Sequence, residues 1–257
     1  MRYTLLGFIV FIAVAASAIL AHETGHFLAA RALGVAVSEF SIGLGPEIVG
    51  FTDGGTEYYL RAVPFGGYCR IVNLPAESLL TRAIVLIAGV SGNLFFAILL
   101  VSIAKAFDAK KERYRVTVSA SPILRIPAVF ISGFLETAVI LIRVIKSLRE
   151  IFRDWEGLGS IFQSAVSVTK KAVLERNFAE IALYAFALNL SVMLLNLLPI
   201  PGALDGGKLL FVAIEAVFGK MDKNVESMVN LAGTFFIFWL VIDANLKDVK
   251  GFFGKKE

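Results

Sequence analysis

His22-Glu23-Thr24-Gly25-His26 places two imidazoles four positions apart, with a carboxylate beside the first. On an α-helix, positions i and i+4 share one face a turn apart, so both rings can ligate a single metal ion. The intervening Glu23 then stands close enough to deprotonate a water activated by that metal. Five residues with three specified form a weak pattern in a polar sequence. Here the surrounding segment, about Leu5 to Leu33, is apolar and helical in pattern. Histidine and glutamate in such a helix bear a desolvation cost unless they are paired or bound to metal. A hydrogen-bonded polar cluster that joins helices is the competing reading of the same five residues.

A catalytic zinc takes three protein ligands and keeps a fourth position open. The chain has only two histidines and one cysteine, so the third ligand must be a carboxylate or Cys69. Glu136 and Asp243 each lie near a charged stretch or a span end. Asp205 is the better candidate: it follows the interrupted run Asn196-Leu197-Leu198-Pro199-Ile200-Pro201 and precedes Gly206-Gly207. Prolines at membrane depth free backbone groups that only a cavity or neighbouring protein can satisfy. Asp205 also reads as a helix N-cap for a segment that starts near Gly206, a role compatible with ligation.

The elements that position these residues follow from composition. Hydrophobic residues make up 57% of the chain and charged residues 18%, too little polar surface for a soluble domain of 257 residues. The formal charge of +4 mixes 25 bases with 21 acids, which offers no argument for a nucleic-acid partner and suits a lipid bilayer. Arg2 and the apolar run to Ala16-Ser17-Ala18 resemble a secretory signal peptide, but the pattern continues through His22 to Leu33. We therefore expect a polytopic α-helical membrane protein with about four transmembrane helices, spans at about 5–33, 83–104, 181–198 and 228–246. Residues 126–145 contain Glu136 and Arg143, which places them on the membrane surface or packed against the bundle. The 105–180 region as a whole reads as an interfacial or aqueous insert within a single domain, 1–257. Between the first two spans, 35–73 carries seven glycines. There Glu47–Thr52 and Thr56–Val63 flank Asp53-Gly54-Gly55, the signature of a membrane-associated β-hairpin. A loop, Pro64-Phe65-Gly66-Gly67-Tyr68, is expected after it.

Together these motifs resemble the site-2 protease family of intramembrane metalloproteases, bacterial membrane-stress members above all. The resemblance covers most of the chain. It rests on His22 to Phe27, Phe40-Ser41-Ile42-Gly43-Leu44-Gly45-Pro46, Pro64 to Tyr68, Ala88-Gly89 with Asn93, and Asn196 to Pro201 with Leu204-Asp205-Gly206-Gly207. It implies that His22, His26 and Asp205 bind Zn2+ and that Glu23 is the general base. It implies further that the glycine-rich hairpin, with Gly43, Gly45, Gly66 and Gly67, presents a strand edge to an unwound substrate. Asn196 and Asn93 match polar positions near the family's cleft. Because the family's two ligand-bearing spans run in the same direction, 126–145 should not cross the bilayer. Four departures stand out. The chain has no room for a PDZ domain between its second and third spans, Val90 stands where Pro is common, Gly202-Ala203 is one residue longer than the usual spacing, and Lys208 stands where His or Arg is common.

The function expected is zinc-dependent cleavage of a peptide bond in or near the transmembrane segment of a membrane-protein substrate. The location expected is a prokaryotic cytoplasmic membrane. A non-catalytic relative of the same fold would need a broken set of residues, whereas Glu23 and all three ligand candidates are present. A zinc transporter would need metal-binding groups along a path, and both histidines lie in one turn. A structural protein with a chance motif does not account for the further motifs in order.

Overall fold

The computed structural model describes residues 2–108, 122–153 and 178–253. Residues 109–121 and 154–177 of the expected insert lie outside the described residues, as does the side chain of Asp243. In chain order the elements are α1 (Arg2–Ala32), β1 (Val37–Asp53), β2 (Thr56–Ile71), a 3-10 turn (Leu74–Ala76), α2 (Leu79–Asp108), α3 (Pro122–Arg153), α4 (Phe178–Leu197), α5 (Asp205–Phe218) and α6 (Lys223–Phe253). Among the described residues, three segments are long and apolar enough to cross a membrane: Gly7–Ala32, Leu79–Ala106 and Phe178–Leu197. The expected fourth span falls within α6, part of whose side chains lie outside the described set. α4 stops at Leu197 because the residue before a proline is driven out of the helical region, and Pro199 follows Leu198.

The chain divides into two compact units through which several helices run. The first comprises 12–96 and 187–235. Its α1–α2 seam is built on glycine. A Cβ on Gly25 would collide with the Ala88 carbonyl, and one on Gly92 would collide with the Ala21 carbonyl and lie 3.3 Å from the Gly25 Cα. Small residues let the two backbones touch, the arrangement favoured where apolar burial cannot drive association. Below this seam Ala30, Val35, Val37 and Val85 form a buried cluster, with Phe27, Cys69, Ile71 and Leu74 packed on it.

β1 and β2 form a two-stranded antiparallel sheet with an irregular register. The expected hairpin is present: Glu47 pairs with Arg61 and Asp53 with Thr56 around Gly54-Gly55, whose φ values are +53° and +78°. The expected loop at Pro64–Tyr68 is replaced by strand. β2 continues through it, because Gly66 at φ +129° absorbs the bend and Gly67 pairs with Ile42. As a result the first half of β1 has β2 on both sides, residues 67–71 on one and 57–60 on the other.

The second unit comprises 1–11, 97–186 and 236–257. Its α3 packs on the end of α2 at Gly133, where a Cβ would collide with the Ser102 hydroxyl. Lys105 of α2 donates to the Ser132 hydroxyl at 2.5 Å and pairs with Glu136, so that acid is held by a helix partner.

The glycine seam generates a test. We expect Gly92→Leu to destabilise the protein by about 1–3 kcal/mol through overpacking against the α1 backbone. Ser91→Ala, on the exposed side of the same turn, should leave the thermal unfolding midpoint in detergent unchanged.

Candidate metal centre

All of the catalytic candidates fall in the first unit. His22 and His26 project from one face of α1 with ring centroids 4.7 Å apart and ring planes at 89°. Their Nε2 atoms lie 2.9 Å and 2.8 Å from Asp205 Oδ2, and 3.1 Å from one another. All three residues are buried. Among the described residues they are the group of histidine, cysteine and acid side chains able to share a metal ion, with ligand atoms within 4.8 Å.

Hydrogen bonding on the far side of each ring decides which nitrogen carries the proton. His26 Nδ1 faces the Val85 carbonyl at 2.8 Å, which can only accept, so Nδ1 donates. His22 Nδ1 faces Asn93 Oδ1 at 2.7 Å. The Asn93 amide is oriented by its own bonds, since Nδ2 donates to the Ala18 carbonyl at 2.9 Å and to Asn189 Oδ1 at 2.7 Å. Asn189 in turn donates to the Asn93 carbonyl at 2.6 Å, so its own amide orientation is set as well. Neutral imidazoles held this way both turn an Nε2 lone pair toward a carboxylate oxygen. Three buried lone pairs at 2.8–3.1 Å repel one another unless a cation lies among them. In a tetrahedral zinc site the ligand atoms stand about 3.3 Å apart, so a small expansion admits the ion. Gly89 supplies the room: a Cβ there would strike His26 and lie 2.8 Å from His22 Cε1. The residues therefore fit a metal with imidazole and carboxylate ligands.

Asp205 does not serve as the cap expected from sequence. The N-cap of α5 is Leu204, with no side-chain cap bond, and Asp205 is the first helical residue with its carboxylate turned to the histidines. The additional residue in the Gly202-Ala203 segment is taken up by a turn. Gly202 adopts φ +115° and its N–H donates to Asn230 Oδ1 at 2.9 Å, which leaves Asp205 in reach of both rings.

A cavity of about 620 Å3 opens onto the cluster. Glu23, Gly66, Gly67, Asn196 and Lys208 line it together with His22, His26 and Asp205. Cys69 lines it too, but burial, with Glu23 adding to it, pushes its thiol up to about 12, and it stands outside the ligand group. Asn93 is fully buried behind His22, and neither Gly43 nor Gly45 borders the cavity. Those glycines, at φ +87° and +79°, bend β1 instead. The cavity wall is residues 66–71, not the Glu47–Val63 hairpin tip. In the same sheet, Glu39 accepts hydrogen bonds from Arg61 at 2.6 Å and from Tyr68, and Arg70 stands 3.4 Å away; Tyr68 and Arg70 also line the cavity. Burial opposes ionisation of Glu39, yet these partners hold its carboxyl below the usual carboxylate range.

Sequence reasoning missed Asn189. The signal was a carboxamide in the middle of a largely apolar helix, which is costly unless satisfied; its partner, 96 positions away, could not be read. Asn189→Leu removes the brace on Asn93, and we expect metal affinity to fall by about 10–100-fold. Competition with a chelator measures it.

Comparison with known proteins agrees with this geometry. Residues 10–240 match peptidase family M50. The chain is 27% identical to "Membrane metalloprotease ARASP, chloroplastic" of Arabidopsis thaliana, over 92% of this chain and 77% of that protein. It is 25% identical to "Putative zinc metalloprotease FN1322" of Fusobacterium nucleatum, over 95% of this chain and 96% of that protein. A further relative, "Putative zinc metalloprotease all3971" of Nostoc, is 42% identical over 35% of this chain and 28% of its own length. Since the family match extends from α1, across the buried His22, His26 and Asp205 cluster, into α6, this chain belongs to peptidase family M50, the site-2-protease-like intramembrane zinc metalloproteases.

Proposed function

We propose that the chain is a zinc endopeptidase that cuts a membrane-protein substrate in or near its transmembrane segment. In this reading His22, His26 and Asp205 hold Zn2+ and Glu23 is the general base. The observation that carries it is the convergence of two Nε2 lone pairs and one carboxylate oxygen on a cavity that Glu23 also lines. Zinc bound there supplies Lewis-acid activation of the scissile carbonyl and of a water nucleophile.

The remaining work belongs to the chain's own side chains. The Glu23 carboxylate takes the proton of the attacking water and passes it to the departing amide nitrogen. Asn93, a positioning residue in this reading, keeps the His22 Nε2 lone pair directed at the centre. Asn196, Gly66 and Gly67 are proposed to contact the substrate backbone from the cavity wall. A transmembrane helix hides its peptide bonds in internal hydrogen bonds, so the segment to be cut must first unwind. An extended segment is then expected to lie along residues 66–71, where Gly66 and Gly67 have no side chain to hold it away. The reading extends to an integral protein of a prokaryotic cytoplasmic membrane.

The test is cleavage of a single-span reporter with a weakened helix, in detergent or reconstituted membranes. We expect Glu23→Gln to retain zinc while its rate falls by about 10²–10⁴-fold. Full activity in that variant would remove Glu23 from the mechanism. Asp205→Ala should lose zinc itself, as measured by metal content after gel filtration.

A further inference from the structure

One contact of the proposed ligand set points away from the histidines. Asp205 offers Oδ2 to both imidazoles, while its Oδ1 accepts a hydrogen bond from Lys208 Nζ at 3.1 Å. The Asp205 side chain is 5% exposed and that of Lys208 50%, and both line the cavity. Among the described residues, Lys208 is the one cation hydrogen-bonded to the three ligand candidates.

Its place in the helix is unfavourable on local grounds. Lys208 stands in the first turn of α5, where unsatisfied N–H groups and the positive end of the helix dipole disfavour a cation. A local preference broken without an evident gain in packing marks a functional position. The helix is also held against rolling. A Cβ on Gly206 would collide with the Leu197 and Leu198 carbonyls, and one on Gly207 with the carbonyl of Ile200. With α5 fixed in this way, Asp205 and Lys208, three positions apart on one face, are presented to the cavity together.

We propose that Lys208 is a positioning residue that makes Asp205 a one-oxygen ligand, an inference that rests on the metal reading above. A buried carboxylate without a partner on Oδ1 is free to turn and offer both oxygens. With Oδ1 engaged by the ammonium, only Oδ2 remains directed at the histidines. A metal held there would then keep a position free for water or a substrate carbonyl.

The test uses the purified full-length chain in detergent, as Lys208→Met, Lys208→Arg and Lys208→Gln beside wild type and Asp205→Ala. Zinc affinity is measured by chelator competition, and the visible absorption of the Co2+-substituted protein reports coordination number. We expect Lys208→Met and Lys208→Gln to bind zinc about tenfold more weakly. Their Co2+ absorption should fall in intensity, as a fifth ligand atom joins. Lys208→Arg, which keeps a charged donor, should resemble wild type in both measurements. Wild-type zinc affinity and Co2+ absorption in both Lys208→Met and Lys208→Gln would overturn the proposal. Zinc retained by Asp205→Ala with wild-type affinity would instead overturn the metal reading beneath it, so the two failures are distinguishable.

Discussion

Two imidazole lone pairs and a carboxylate oxygen, buried and crowded within hydrogen-bonding distance, repel one another unless positive charge lies between them. Much of the first unit can be read as a response to that constraint. Each ring must be held so that Nε2 faces inward, which requires an acceptor behind each Nδ1, and α2 provides both through the Val85 carbonyl and Asn93. Each acceptor must in turn be oriented, which brings in the Ala18 carbonyl and Asn189. Space for the rings must be left where two helices touch, and Gly89 leaves it.

Under the proposed function the sheet answers a different requirement. A peptide bond can be cut only after its helix has opened, and an opened backbone in an apolar setting needs hydrogen-bonding partners. Residues 66–71 lie beside the cavity with one edge paired to β1. The polar cluster of Glu39, Arg61, Tyr68 and Arg70 ties this part of the sheet together. A strand held in that way can serve as a fixed template beside the metal centre.

How much of this was legible in the sequence depended on range. The His22–His26 pair was readable because its geometry is set by helical pitch alone. Asp205 was readable because two prolines and two glycines advertise a broken backbone at membrane depth. The hairpin turn at Asp53-Gly54-Gly55 was readable from its need for positive φ. Pro64–Tyr68 misled for the same reason: its proline and glycines look like punctuation, yet pairing to β1 carries the strand through them. Asn189 and the Lys105–Glu136 pair were beyond reach, because each takes its meaning from a partner on another helix. Asp205 as a cap was a sound local inference that a tertiary contact overrode.

The Asn93–Asn189 exchange has a thermodynamic corollary. The same two carboxamides that aim His22 also fasten α1, α2 and α4 to one another. Occupancy of the centre and association of these three helices are therefore linked equilibria, and linkage runs in both directions. Whatever ion stabilises the histidine pair tightens the bundle, and whatever pries the bundle apart loosens its hold on the ion.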